Sequence, residues 1–332
     1  MNKKIIATAV AAAFALPVIT AHAADFDTKG PTVYGKLHLN LSKYDNDGSA
    51  GDNYKLNSFD SRLGVKGQVN LTEGLAGTYQ VESGITADAK GAAGTALGTR
   101  TTYAGLKGGF GEVRFGYHDS PLKMAQGKFD QFGDTDGDFK HAGSQQAENR
   151  NANSITYLGK FGNLGFNAQL APGEGNGTSA GQNLTDNTSI AVTYTAGPLY
   201  LAAATDSYDK KTVATSAANT MNRLVGIYTM NSMQIGVLYQ SGVQSAVTSS
   251  NSKEDWLGVS FGMKLGGGNK LKAQYITTKD HATTKEEGKQ TTVGFDHALG
   301  KKGTLYAMYN KTDMTTAAKD KSSVSIGYVL KF

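Results

Sequence analysis

The chain has no cysteine, one tryptophan and five prolines in 332 residues. Without cysteine there is no disulfide scaffold, no thiolate metal site and no cysteine nucleophile. Beyond the N-terminus there is no run of 18 or more apolar residues, so no transmembrane helix is expected. Lysine and arginine form no block; the formal charge of +5 is dispersed, which argues against nucleic acid as a partner. Six scattered histidines without paired spacing argue against zinc. What the chain has in quantity is glycine (42) and tyrosine (16), with a mean hydropathy of −0.36.

The first 23 residues read as a cleaved Sec signal peptide. Lys3 and Lys4 form a basic head, Ile5 to Ile19 an apolar stretch, and Ala21-His22-Ala23 a small-x-small cleavage site. Residues 24–332 then read as one domain, exported and without a lipidation cysteine.

Alternation of period two runs through that domain. Val33, Leu37, Leu39 and Leu41 share one face, with Tyr34, Lys36, His38 and Asn40 on the other. Phe59, Leu63, Val65 and Val69 alternate with Asp60, Arg62, Lys66 and Gln68, and Leu75, Tyr79 and Val81 with Thr78, Gln80 and Glu82. The pattern returns down to Val324, Ile326, Tyr328, Leu330 and Phe332. Around Tyr103, Leu201 and Val225 the inside and outside faces stay ambiguous. Seven short turns, near Thr72–Gly74, Gly108–Gly111, Phe161–Asn163, Ala196-Gly197, Asn231-Ser232, Gly266–Gly268 and Gly300–Lys302, alternate with eight long polar segments. This grammar predicts an all-β fold: a 16-stranded antiparallel transmembrane barrel, apolar outside and polar inside, with short turns at one end and long loops at the other. In lipid every backbone polar group needs an internal partner, so a spanning sheet must close on itself. Aromatic residues near strand ends (Tyr34, Tyr117, Tyr157, Tyr194, Tyr239, Trp256, Tyr309, Phe332) are expected to form interfacial girdles.

Sixteen strands leave an aqueous lumen, so passage of small hydrophilic solutes and ions is the expected activity. The longest connection, about Asp119 to Glu148, carries Asp130, Asp134, Asp136 and Asp138. Folded inward, these acids would face a basic wall of Lys36, His38, Arg62, Lys66, Arg100 and Arg114 and set a transverse field at a constriction. Asp45-Asn46-Asp47-Gly48 and Asp134-Thr135-Asp136-Gly137-Asp138 offer oxygens to Ca²⁺ but lack the closing Glu of the twelve-residue loop pattern; solvated loops are the plainer reading, and no cofactor is expected. His118-Asp119-Ser120 holds triad residue types, yet sequence neighbours on a strand face opposite sides, so no enzyme is expected. A substrate-specific channel and an adhesive or structural barrel acting through its loops are the alternatives.

Residues 32–332 resemble the general-diffusion Gram-negative porins of the sixteen-stranded trimeric type. The resemblance rests on Thr32-Val33-Tyr34-Gly35, on Ser61-Arg62-Leu63-Gly64-Val65-Lys66-Gly67 with Gly74-Leu75-Ala76-Gly77, and on Gly105-Leu106-Lys107-Gly108 with Phe110-Gly111. Asn149-Arg150 with Asn153-Ser154-Ile155-Thr156-Tyr157 and the terminal Phe332 complete it. It implies an inward third loop, a homotrimer in the Gram-negative outer membrane among its lipids, and Arg62 and Arg100 at the eyelet. It also implies that Phe332 is read by the outer-membrane insertion machinery. The chain departs from the family in its third loop, where Lys128-Phe129-Asp130-Gln131-Phe132-Gly133 replaces the common Pro-Glu-Phe-Gly segment.

Overall fold

A computed structural model describes residues 29–46, 53–88, 97–142, 148–173, 183–208, 220–244, 252–280, 287–316 and 320–332. The signal-peptide assignment and Asp47-Gly48 of the first Ca²⁺ candidate lie outside the described residues. Strand segments β1 (Lys29–Asn46), β2 (Asn53–Ser58), β3 (Arg62–Thr72), β4 (Leu75–Ile85), β5 (Leu97–Gly108), β6 (Gly111–Asp119) and β7 (Arg150–Phe161) come first. They are followed by β8 (Leu164–Ala171), β9 (Asn187–Ala196), β10 (Leu199–Tyr208), β11 (Thr220–Met230) and β12 (Met233–Gln244). The last are β13 (Ser252–Gly266), β14 (Asn269–Asp280), β15 (Glu287–Leu299), β16 (Gly303–Met314) and β17 (Lys321–Lys331).

Each strand pairs antiparallel with its sequence neighbour, and β17 returns to β1 from Lys36↔Lys331 to Asn46↔Lys321. Segments β2 and β3 both pair with β1 and are two halves of one strand, so the sheet is a closed barrel of sixteen staves. The short connections fall at the seven turns expected from sequence. Several carry the left-handed residue a tight turn requires, such as Gly74 (φ 73°) and Asn231 (φ 46°).

The exterior is apolar. Val33, Leu41, Val81, Leu224, Leu257, Val293, Val324 and Ile326 are all exposed, and Tyr194, Tyr228, Tyr239, Tyr275, Tyr309 and Tyr328 stand beside them. This inverts a water-soluble fold, as a lipid-facing surface demands. The buried apolar residues instead line part of the lumen, where Leu122, Ala125, Phe129 and Phe139 of the third loop pack on Met221, Val225, Ile227, Leu238, Trp256 and Ile276.

That loop explains two of the three ambiguous strands, those around Leu201 and Val225. Leu201 points outward, but Val225 and Ile227 on β11 are buried inward beneath the loop, so both faces are apolar and alternation fades. Two aromatic placements differ from the girdle expected. Trp256 is fully buried in the lumen, edge-on to Phe139 at 6.0 Å, and Tyr34 turns inward to donate a 2.8 Å hydrogen bond to Glu82. Phe59 also leaves the face predicted for it and stands 5.8 Å from His38. The cause is a bulge: Leu37 and His38 oppose three residues, Phe59 to Ser61, between the pairs Leu39↔Ser58 and Lys36↔Arg62. One extra residue reverses the parity of everything on one side of it.

Candidate functional site

The third loop leaves β6 at Ser120, which caps the short helix α1 (Pro121–Met124) by accepting the Lys123 N–H at 3.2 Å. Ser120 donates to the buried Asp206 at 3.1 Å, so the loop's departure is tied to β10. Its body then crosses the lumen and seats two phenylalanines on glycines of the far wall. A Cβ at Gly258 would lie 2.7 Å from the Phe129 ring, and one at Gly294 would lie 2.8 Å from that of Phe132. Only glycine leaves this room on the lumen face. The loop returns through Glu148, paired at 2.9 Å with the fully buried Arg223, whose guanidinium also bonds Gln240 and the Leu122 carbonyl.

The four third-loop acids have four different surroundings. Asp134, held in a left-handed turn (φ 60°), reaches Lys36 at 2.6 Å and also hydrogen-bonds the Asp60 carboxyl. Burial first, then that neighbouring carboxyl, raises its pKa above the usual aspartate range despite Lys36. Among the described residues Asp136 pairs with no cation: Tyr44 (2.6 Å), Ser42 (2.8 Å) and Ser325 (3.1 Å) donate to it, clasping the loop tip to the β1–β17 seam. Asp138 pairs with Lys140 of its own loop at 3.1 Å and caps the 3-10 turn Phe139–His141. Asp130 turns beneath the loop, where Oδ1 accepts from Phe132 N at 2.9 Å and Oδ2 is covered without a partner. Its carboxyl is raised well above the usual range by burial, with Asp138 adding to the effect. Of the four expected to face the basic wall, Asp134 alone does so. Among the described residues no group of three or more His, Asp or Glu is arranged to hold a metal ion.

The facing wall is built by β1, β3 to β7 and β17, and a cavity of about 570 Å³ lies between it and the loop. Seven cationic side chains line it (Lys36, Arg62, Lys66, Arg100, Lys123, Arg150, Lys331) against three carboxylates (Glu82, Asp119, Asp134). Arg100 binds Asp60 and, at 2.8 Å, Glu82; Arg62 lies 3.9 Å from the same Glu82. Lys66 stands 5.0 Å over the Tyr34 ring. A chain of charged groups, Arg62–Glu82–Arg100–Asp60–Asp134–Lys36, thereby joins the wall to the loop, with the two carboxyls of Asp60 and Asp134 meeting at its centre. Four basic residues expected at the wall, Lys36, Arg62, Lys66 and Arg100, line this cavity.

The other two do not line it. Arg114 is held by Glu112 (2.8 and 2.9 Å), the face of Tyr103 (4.3 Å) and His118 (2.7 Å). His38 is buried against Tyr306, 2.8 Å from its hydroxyl. Conversely, Tyr34, Asp60, Glu82, Asp119, Lys123, Arg150 and Lys331 take part without having been singled out. Glu82 was legible in part, since it shares the polar face of its strand with Thr78 and Gln80. Asp60 was legible in the same way, on the polar face with Arg62 and Lys66, but its positive φ (47°) was not. A second bulge sets Arg100 and Thr101 together opposite Glu82, between the pairs Val81↔Thr102 and Ser83↔Thr99, which lets both line the cavity.

His118, Asp119 and Ser120 form no dyad or triad: the imidazole contacts Arg114 and the Asp119 carbonyl, while Ser120 donates to Asp206.

At the seam, Gly35 and Phe332 exchange two backbone hydrogen bonds (3.0 and 3.1 Å), and the Phe332 ring covers Gly35, where a Cβ would come within 2.2 Å of it.

Known proteins give this geometry a family. A curated relative, outer membrane protein U of Vibrio cholerae, is 32% identical over 213 residues, 58% of this chain and 58% of that protein. The chain thus spans a little over half the length of the first curated relatives it matches. The solved structure of an anion-selective porin from Comamonas acidovorans superposes with a TM-score of 0.78 at 22% identity, covering 92% of this chain and all of that one. OmpT of Vibrio cholerae in its trimer form gives 0.74 at 18% identity, with 92% and 100% covered. The family model described as Gram-negative porin matches residues 7–317, nearly the whole length, and with the closed sixteen-stave barrel, its apolar exterior and its inward third loop, the chain belongs to the Gram-negative porin family.

Proposed function

We propose that this barrel is a passive outer-membrane channel for small hydrophilic solutes and ions, that it prefers anions, and that it performs no chemistry on what it passes. The observation that carries the sign is the cavity beside the third loop, where seven cationic side chains outnumber three carboxylates. A charged cleft between low-dielectric walls concentrates the opposite ion and repels its own kind. The solved relative described as anion-selective supports the same sign. Asp134 is the third-loop acid placed to oppose this field, while Asp130, Asp136 and Asp138 hold the loop in shape.

The working unit proposed is a homotrimer, in keeping with the trimer form of the OmpT structure. Phe332 is assigned the further role of recognition by the insertion machinery, and the exposed apolar exterior that of contact with outer-membrane lipid. No bound metal is part of the reading; the acids of Asp134–Asp138 are taken up by Lys36, hydroxyl groups and Lys140.

The test is conductance of the refolded chain in a planar bilayer, then its reversal potential across a salt gradient. Stepwise ohmic conductance closing in threes, with the reversal potential on the chloride side, is expected. A folded barrel that conducts nothing removes the channel reading, and a potential on the potassium side removes the anion preference. Replacing Arg62 and Arg100 by Ser is expected to weaken the anion preference with the barrel still folded.

A further inference from the structure

We infer that the β1–β17 seam carries a receptor for a small carboxylate, built by Ser42, Tyr44, Asn57 and Ser325. Asp136 of the third loop fills it as a tethered ligand, and a free monocarboxylate solute competes for the same place. The loop tip is then displaced by a solute and not held by a fixed clasp.

The donors stand on the wall. Asn40, Ser42 and Tyr44 follow one another on the inward face of β1, with Asn57 of β2 opposite Asn40 and Ser325 of β17 opposite Ser42. The Tyr44 hydroxyl donates to Asp136 Oδ1 at 2.6 Å. Ser42 and Ser325 meet Oδ2 at 2.8 and 3.1 Å and lie 2.8 Å from each other. Donors divided between two oxygens fit the planar fork of a carboxylate and not a spherical anion such as chloride. The pocket is also set in advance. Asn57 donates to the Tyr44 oxygen at 2.8 Å, which leaves the tyrosine proton for the carboxylate. It also donates to Asn40 Oδ1 at 3.1 Å, and the Asn40 amide in turn points at Oδ2 from 3.4 Å.

Two features make Asp136 a replaceable occupant. Asp134 and Asp138 are paired with the ammonium groups of Lys36 and Lys140, whereas the bonds printed around Asp136 come from neutral hydroxyls and an amide. Its hold is therefore hydrogen bonding alone, which another carboxylate reproduces atom for atom. Ser42 and Ser325 are, moreover, fully buried on staves held by the sheet, so the pocket keeps its shape when the loop leaves and its hydroxyls then lack an acceptor. A tethered group acts at an effective concentration of about a millimolar or more, so the free solute competes only where it is concentrated.

Saturation-transfer NMR with formate on the detergent-folded barrel, in excess chloride to fill the cationic cavity, reads the receptor. Asp136→Ala vacates it and is expected to bind formate about tenfold more tightly than the parent. Adding Tyr44→Phe leaves the net charge of that variant unchanged and is expected to weaken its binding about tenfold. In a planar bilayer, exchanging chloride for formate is expected to make the parent's steps noisy, while Asp136→Ala is noisy in both salts. Equal formate affinity in the parent and Asp136→Ala, or no loss on adding Tyr44→Phe, overturns the receptor. Parent steps that stay quiet in formate overturn the displacement. A folded barrel that conducts nothing removes the channel reading instead, and the receptor is still decided by the binding measurement. Should Asp136→Ala not refold, Asp136→Ser vacates the pocket for the same comparison.

Discussion

Asp130 is the residue at which burial and charge conflict most plainly. Its Oδ2 is covered and unpartnered, Asp138 adds repulsion, and burial pushes its carboxyl well above the usual range. An acid raised on folding contributes stability that is present below its unfolded pKa and lost as pH rises through the folded one. At neutral pH it is therefore a liability. Asp130→Asn keeps an oxygen for the Phe132 N–H and removes the charge, and is expected to stabilise the folded barrel by about 1–2 kcal/mol at pH 7. The gain should vanish below about pH 4, where the carboxyl is protonated in both states. Heat-modifiable gel mobility of the refolded protein at the two pH values reads this; equal gains at both would show that charge is not the cause. The residue scale is also where sequence reading reached its limit. Lys36, Asp60, Arg62 and Lys66 follow from parity, but the inward Phe59 follows from one extra residue in β2–β3 and the place of Arg100 from one in β5, and no composition signal marks either. That four acids in nine residues of one loop would face four different surroundings was equally illegible, because loop backbone has no period.

The third loop works as an element because the wall opposite it was cut to receive it. Phe129 and Phe132 fill space that Gly236, Gly258 and Gly294 leave open on the lumen face. The signal was present in the sequence as glycine at alternate, inward positions of apolar strands, but glycine in a strand has several meanings and only the loop's seat chooses among them. Gly258→Leu puts a side chain where the first atom alone would be 2.7 Å from Phe129 and 2.6 Å from Ile276. Overpacking of this kind costs about 1–3 kcal/mol. The barrel staves are held by their ladders, so the loop is what gives way. Larger and noisier single-channel steps are expected, with the barrel still closed. Gly226→Leu is the control: it lies on the outer face with only Leu201 nearby, at 3.6 Å, and its steps should match the parent's. Quiet, parent-like steps in Gly258→Leu would mean the loop is held by its ends, through Ser120–Asp206 and Glu148–Arg223.

At the scale of the whole molecule, closure of the barrel and the proposed recognition of its end meet in one residue. The alternation, the turn spacing and the count of sixteen staves were all legible, because a lipid-facing surface admits few exceptions to period two. The seam adds something local. Phe332 closes the last backbone pair with Gly35 and lays its ring over that glycine, so any replacement both loosens the seam and alters the proposed insertion signal. The two roles separate by mutating the partner. Gly35→Ala displaces the ring, since the new Cβ would sit 2.2 Å from it, yet leaves the terminal residue aromatic. Phe332→Ala keeps both backbone hydrogen bonds and removes the ring, a loss of about 1–3 kcal/mol of apolar contact. If the ring matters through the seam alone, the two variants lose refolded stability and cellular yield in parallel. If the terminal aromatic is also read during insertion, Phe332→Ala should match Gly35→Ala in refolding from denaturant but accumulate about tenfold less folded barrel in the outer membrane. Equal cellular yields for the two would confine Phe332 to closing the sheet.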